Sequence, residues 1–177
     1  MATGTVCGPT AGLNGSVPTT TPTWLDLAPA DLSTRQLHDL LRLRNEVFIV
    51  EQDCPYPDID GHDLAATTRH LLALDGDNLL ACSRFLAGPA AVRIGRIVVA
   101  PGGRGTGLGR ELVARSLDLC LAHWPGRPVL ISAQAHLRRF YEEFGFVATG
   151  SEYDEDGIPH LDMRLQVGGG APASRTQ

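Results

Sequence analysis

Residues 92–109 read VRIGRIVVAPGGRGTGLG, and this stretch decides the fold. Its first half is rich in valine and isoleucine, which predicts a buried strand that ends at Pro101. The glycines that follow predict a tight loop, and apolar residues then recur at helical spacing from Leu108 to Leu121. A strand, a glycine-rich loop and a helix form a cradle for an anion, because glycines allow close approach and free N–H groups at the helix start point at it.

Two common phosphate-binding patterns do not fit this loop. The P-loop pattern GxxxxGK[ST] requires a lysine, and every basic residue of this chain is an arginine. The dinucleotide pattern GxGxxG fails whether it starts at Gly103, Gly105 or Gly107. Arg104, Gly107 and Gly109 instead form the pattern R-x-x-G-x-G. The missing lysine makes a kinase or a related nucleotide enzyme a poor interpretation.

This loop, after Val99-Ala100-Pro101, resembles the acetyl-CoA loop of the GNAT superfamily of N-acetyltransferases. Residues 140–146 (FYEEFGF) are similar to the second signature of that superfamily, and a predicted strand at residues 128–133 separates the two. Other segments resemble the ElaA-like branch: 44–48 (RNEVF), 50–52, 54–56, 58–61, His70, 133–136 (AQAH) and 156–160 (DGIPH). The resemblance covers residues 37–164, most of the predicted folded part.

The resemblance implies an α+β (mixed α/β) domain with the GNAT fold. Its mostly antiparallel twisted sheet would have six to seven strands, splayed at the cofactor strand, with helices on both faces. Acetyl-CoA would be the co-substrate, without a metal. The implied coenzyme contacts are Ile97, Val98 and Val99 on the strand, Arg104, Gly105, Thr106, Gly107, Leu108, Gly109 and Arg110 in the loop, and Gln134. Gln134 and Leu137 depart from the general superfamily pattern, which commonly has asparagine and alanine at these positions.

Acetyl transfer to an amine requires an acid for the leaving thiolate and a base for the amine. The resemblance makes Tyr141 the candidate acid, because a phenol stays protonated at neutral pH. The candidate bases are Glu51, Asp60, His70 and His160. We predict Glu51 as the catalytic one, because it follows the first helix in the segment that borders the acceptor site of related folds. Release of the proton to solvent is the open alternative.

The acceptor would be an amine-bearing small molecule or protein, and Asp60, His70, Arg84 and His160 are its candidate contacts. Acidic residues between positions 51 and 63 would attract a cationic amine. Arg84 and Arg96 lie on predicted strands, and Arg44 lies on the apolar side of the first helix. A charge there needs a partner, so we expect these arginines to pair with the acidic loop; binding a substrate carboxylate is the alternative.

The chain has 177 residues and a formal net charge of −5, which argues against a general nucleic-acid binder. Residues 1–22 and 168–177 lack a hydrophobic period and predict disordered tails around one domain at 23–167. No apolar run is long enough to span a membrane. Four cysteines without a CxxC pair, in a sequence with no secretion signal, predict reduced thiols in a cytoplasmic protein. We expect a monomer or a homodimer. A non-catalytic coenzyme-A-binding sensor or interaction module is the alternative from another functional class.

Overall fold

An eight-stranded mixed sheet forms the centre of the structure, a computed structural model that describes residues 21–166. Its strands run in the order β1-β2-β3-β4-β5-β8-β6, with β7 also paired to β8. The bounds are β1 (Thr23–Leu27), β2 (Thr68–Asp75), β3 (Asn78–Ala87), β4 (Val92–Val99), β5 (Val129–Gln134), β6 (Phe146–Ala148), β7 (Tyr153–Glu155) and β8 (Ile158–Leu165). Within residues 21–166 only β4 and β5 pair in parallel, which confirms the predicted α+β class and mostly antiparallel sheet.

The structure has eight strands where six to seven were predicted, because residues 146–155 form two short strands. β6 and β7 pair with different parts of β8, and residues 149–152 lie between them without strand structure. The predicted tails fall outside the described residues, apart from positions 21 and 22. The domain bounds at 23–167 therefore stay a prediction.

Helices pack on both faces of the sheet, as predicted. They are α1 (Thr34–Arg44), α2 (Leu108–His123) and α3 (Arg138–Glu142), and a π-helical segment, Asn45–Glu51, continues α1. Ser33 caps the start of α1: the Gln36 N–H donates to the Ser33 hydroxyl, and the Ser33 N–H donates to the Gln36 side chain. This capping box satisfies two backbone donors that a helix start leaves free. The start of α1 is thereby fixed by local sequence.

Two apolar cores lie on opposite sides of the sheet, because successive residues of a strand point to opposite faces. On one side, Leu40 of α1 packs with Leu72 and Cys82. On the other, Leu112 of α2 packs with Phe85, and Tyr141 of α3 belongs to the same cluster. No helix among residues 21–166 is long and apolar enough to cross a membrane.

The sheet splays between β4 and β5. These strands pair only where Val92 and Arg93 meet Val129 and Leu130. Further along β4 the register with β3 shifts by one residue, which is a β-bulge. Arg96 lies in this bulge with φ of 52°, a strained value for a residue with a side chain. The bulge bends β4 away from β5, and the splay predicted at the cofactor strand is confirmed.

Candidate active site

The divergence of β4 and β5 opens a cleft of about 380 Å³ that reaches from the bulge to the β7–β8 turn. Of the predicted site residues, it is lined by Ile97, Gln134, Arg84, Tyr141 and His160. Two predicted coenzyme positions, Val98 and Val99, follow Ile97 on β4, beyond the last residue that pairs with β5. The backbone of this half of β4 therefore has no strand partner on the cleft side.

The glycine-rich loop joins β4 to α2. Gly105 and Gly107 have φ of 75° and 89°, a region that residues with side chains rarely adopt. The N–H groups of Gly105, Thr106 and Gly107 donate no hydrogen bond to any residue between 21 and 166. Leu108, Gly109 and Arg110 form the first turn of α2, where the helix dipole favours negative charge.

The loop fits a diphosphate. A Cβ added at Gly105 or Gly107 would meet no atom within 4 Å, so space lies open beside the free N–H groups. Thr106 keeps the turn closed, because its hydroxyl donates to the Gly103 carbonyl at 2.7 Å. Three free donors, a helix start and an adjacent arginine together suit an anion that carries several oxygens.

Arg104, the arginine of this loop, contacts Glu51. Arg104 Nη1 and Nη2 each donate to one oxygen of the Glu51 carboxylate at 2.9 Å. Both side chains are nearly half exposed. Glu51 closes the π-helical segment and is not among the residues that line the cleft. The predicted base thus lies beside a predicted coenzyme contact rather than beside Tyr141.

Tyr141 lies on α3 with 6% of its surface exposed. Its ring makes edge contacts with Phe140 and Phe146 at centroid distances of 5.1 and 6.0 Å, which fix its position. Burial raises the pKa of the Tyr141 phenol to about 12. Its hydroxyl makes no hydrogen bond to any residue between 21 and 166. It is also not one of the fully buried polar atoms that lack a hydrogen-bond partner. A protonated phenol is therefore available at the cleft.

His160 lies on β8 and faces the cleft, while its neighbour Leu161 points into the core on the other side. Its Nδ1 is 2.8 Å from the carbonyl oxygen of Ile158. A carbonyl oxygen only accepts, so Nδ1 carries the proton and Nε2 of the neutral ring keeps its lone pair. The ring stacks on Tyr153 at 6.3 Å, and its Nδ1 is 3.9 Å from Glu155.

The acidic loop is held by arginines, as expected from the sequence. Arg44 is 1% exposed and contacts Asp58 and Asp63 at 2.9 and 2.6 Å. Arg84 contacts Asp63 at 3.0 Å and Asp60 at 2.6 Å. Arg96 pairs with Asp58 and Asp60 and stacks on Tyr56. Three aspartates thus meet three arginines, and their charges cancel within the cluster.

Two predicted substrate contacts, Asp60 and His70, belong to this cluster. Burial alone would raise the pKa of Asp60, but hydrogen bonds from Arg84 and the His62 N–H outweigh it and lower that pKa strongly. His70 is 2% exposed, and its Nε2 donates to the Asp63 carbonyl at 2.9 Å. Burial lowers the pKa of His70. Neither residue lines the cleft, whereas Arg84 does.

Sequence reasoning missed three cleft features. Arg93 lines the cleft and makes no ion pair within residues 21–166. Gln134 donates to the side chain of Gln52 at 3.1 Å, across the mouth of the cleft. The Cys54 thiol lies 3.5 Å from the carbonyl oxygen of Asp156, which ties the acidic loop to the β7–β8 turn. Only Arg93 had a sequence signal, as a charged residue inside an apolar strand. No cluster able to hold a metal ion occurs in the part of the chain that is described.

Comparison with known proteins gives consistent matches. A model of the acetyltransferase (GNAT) domain matches residues 41–167. Protein ElaA of Escherichia coli is 46% identical over 147 residues, which is 81% of this chain and 96% of that protein. Its crystal structure superposes with a TM-score of 0.79 and covers 82% of this chain and 99% of that one, at 44% identity. An acyl-CoA N-acyltransferase from Pseudomonas aeruginosa gives a TM-score of 0.78 at 44% identity, covering 81% and 99%.

Proposed function

The chain belongs to the GNAT acetyltransferase family, and from this premise we propose that it transfers an acetyl group from acetyl-CoA to a primary amine. The observation that carries the proposal is the loop of free N–H groups at Gly105, Thr106 and Gly107, which follows β4, the strand that lines a cleft together with Tyr141. A coenzyme held by its diphosphate in this loop would extend along the unpaired half of β4 toward the phenol. The family uses acyl-CoA and acts on amines, and the P. aeruginosa relative bears the description acyl-CoA N-acyltransferase.

Binding of acetyl-CoA would rest on the loop and the adjoining strand. The N–H groups of residues 105–107 and the start of α2 would receive the diphosphate, and Arg104 and Arg110 would add positive charge. Ile97, Val98 and Val99 would present backbone groups to the pantetheine arm, and Gln134 would contact it from β5. An N–H of β4 beside the bulge would also stabilise negative charge on the thioester oxygen as it develops, an effect typically worth about 3 kcal/mol.

Tyr141 would protonate the leaving sulfur. Its raised pKa keeps the phenol protonated through neutral pH, and its packing against Phe140 and Phe146 holds the hydroxyl in one place. The acceptor would enter from the other end of the cleft, between Arg84 and the β7–β8 turn. Asp60 and His70 would act there indirectly, by fixing Arg84 and the acidic loop.

Isothermal titration with acetyl-CoA tests the coenzyme site. We expect binding by the wild-type chain and none by a double variant, Arg104→Glu with Gly107→Val, which reverses the loop charge and adds a Cβ where φ is 89°. Circular dichroism of the variant checks that it folds. If the folded wild-type protein does not bind acetyl-CoA, the proposed acetyltransferase activity is ruled out.

A thiol-release assay then tests turnover. The panel contains spermidine, L-lysine, a peptide with a free amino terminus and hydroxylamine. Release of CoA with any of these amines supports the enzyme. Tight coenzyme binding with no release from any of them would favour the non-catalytic coenzyme-binding module instead.

A further inference from the structure

We propose that His160 is the general base that takes the proton from the acceptor amine, through Nε2. The inference rests on the proposed acetyl transfer and adds a catalytic residue to it. The sequence offers four side chains as bases: Glu51, Asp60, His70 and His160. Such a group must reach the cleft and must have an atom free to accept a proton.

Three of the four candidates do not meet both conditions. Glu51 lies outside the cleft lining, and both its oxygens accept from Arg104 at 2.9 Å. Asp60 accepts from both Nη atoms of Arg84, at 2.8 and 2.6 Å, and does not line the cleft. His70 is 2% exposed and is buried beneath the acidic loop.

His160 meets both conditions. It lines the same cleft as Tyr141, and its side chain is 15% exposed. The hydrogen bond from Nδ1 to the Ile158 carbonyl fixes the neutral tautomer, so that Nε2 is the accepting atom. Nε2 has no hydrogen-bond partner within residues 21–166. It is also not one of the fully buried polar atoms that lack such a partner. The ring is held in place by Tyr153 and by its own backbone contact.

Glu155 suits the charged form of this base. Its carboxylate is 3.9 Å from Nδ1, close enough to stabilise an imidazolium. The other charged or titratable groups around the ring are Tyr153 and Asp156 beside it, Arg84, Arg93 and Arg96 across the cleft, Cys54 and Tyr56 of the acidic loop, and Tyr141 on α3. Carboxylates, guanidinium groups and phenols do not ordinarily change protonation around neutral pH.

The step balances without a further reactant. The acceptor arrives as an ammonium ion and gives one proton to His160 Nε2, which frees the lone pair on nitrogen. The lone pair forms the C–N bond, and the C–S bond breaks with its electron pair on sulfur. Sulfur takes the proton of the Tyr141 hydroxyl, and the surplus proton on the new amide nitrogen passes to water. Water at the cleft mouth returns a proton to the phenolate and removes one from the imidazolium, so both side chains are restored.

The test variant is His160→Asn, because the asparagine amide can still donate to the Ile158 carbonyl but offers no basic nitrogen. The amine of the panel with the highest turnover is compared with hydroxylamine, which is already unprotonated at neutral pH. We expect kcat/KM for the first amine to fall about 100- to 10,000-fold and that for hydroxylamine to change less than about threefold. The acidic limb of the pH profile should disappear with the loss of the base. His38→Gln, at an exposed position of α1, is the matched control and should keep wild-type rates.

Two outcomes would overturn the proposal. One is equal loss with both nucleophiles, which would mean a structural role. The other is that Glu51→Gln, rather than His160→Asn, removes the acidic limb. A measurement independent of turnover uses ¹⁵N-labelled histidine: we expect NMR spectra to show Nδ1 protonated and Nε2 unprotonated in the neutral His160 ring. The opposite tautomer would refute the assignment, even if no panel amine is acetylated and the proposed function itself fails.

Discussion

The Glu51 carboxylate and the Arg104 guanidinium form a two-point ion pair across 53 residues of sequence, with both N–O distances at 2.9 Å. Arg104 cannot use the same N–H groups for Glu51 and for a diphosphate. A carboxylate and a diphosphate are both anions with paired oxygens, and a guanidinium binds either one through two parallel hydrogen bonds. If the proposed coenzyme site is right, Glu51 would therefore compete with the coenzyme for this arginine.

Glu51→Gln should tighten coenzyme binding. Exposed ion pairs contribute about 0.2–1 kcal/mol, so we expect the Kd for CoA to fall by up to about fivefold in isothermal titration. Glu46→Gln is the matched control, because Glu46 makes a similarly exposed pair with Arg42 at 2.9 Å, on the same helical segment. Weaker binding by Glu51→Gln would show that this carboxylate positions Arg104 instead of competing for it.

Tyr141→Phe should lower kcat and leave coenzyme binding unchanged. The phenylalanine keeps the ring contacts with Phe140 and Phe146 but removes the proton donor, for which we expect a loss of about 100- to 10,000-fold in kcat. Because the pKa of the Tyr141 phenol is about 12, the wild-type rate should show no alkaline decline from this group up to about pH 10. Unchanged kcat in stopped-assay measurements, with a normal Kd for CoA, would remove Tyr141 from the mechanism.

The strand, the glycine-rich loop and the helix around Gly107 were predictable from the sequence because they are local. Pro101, Gly107 and the apolar spacing of α2 fix the strand, turn and helix within a few residues of one another. The arginine–aspartate pairing was also predictable in kind, since a buried charge needs a partner. Which arginine meets which aspartate was not predictable, because it depends on the register of β3 with β4 and on the bulge at Arg96.

Contacts across the cleft could not be predicted from the sequence either, because they too depend on how distant segments are placed in the fold. Glu51 was expected to face the acceptor, but the π-helical segment turns it toward Arg104. The apolar spacing of α1 continues through Val47 and Phe48. The sequence pattern therefore does not distinguish the wider turns of the π-helical segment from an ordinary α-helix. The hydrogen bond that sets the tautomer of His160 likewise follows from the tight β7–β8 turn, which brings the Ile158 carbonyl back to the ring.

Asp63→Asn should destabilise the fold. Asp63 is 5% exposed and accepts from Arg44 and Arg84 at 2.6 and 3.0 Å, so the change leaves two buried guanidinium groups short of one negative charge. Breaking a buried pair typically costs about 3–5 kcal/mol. Urea unfolding at pH 7 measures the loss, and Asp31→Asn, at an exposed position, should cost much less.

The same carboxylate gives a pH signature. Burial would raise the pKa of Asp63, but hydrogen bonds and charge from Arg44 and Arg84 outweigh it and hold that pKa below its usual value. A lowered pKa stabilises the fold above the unfolded value of about 3.9, and the stabilisation is lost as pH falls through the folded value. Wild-type stability should therefore decline steeply below about pH 4, and Asp63→Asn should show a shallower decline. Parallel acid transitions in the two proteins would contradict this.

Gly95→Val should block the acceptor without harming the fold. Gly95 lies on β4 opposite Arg84 and lines the cleft, and a Cβ added there would meet no atom within 4 Å. Its φ is not positive, so valine suits the strand, and its methyl groups would occupy cleft volume near the bulge. We expect thermal melting within about 2 °C of wild type and an acceptor kcat/KM reduced at least about tenfold.

Gly150→Val is the matched control, because that exposed glycine also has no positive φ and no atom within 4 Å of an added Cβ, and it does not line the cleft. The Kd of Gly95→Val for CoA, measured by titration, shows whether the valine obstructs the acceptor or the coenzyme. A Kd close to wild type places the obstruction at the acceptor end, as we expect, since the proposed diphosphate loop follows the far end of β4. A Kd raised as much as kcat/KM is lowered would mean that the acceptor does not approach over Gly95.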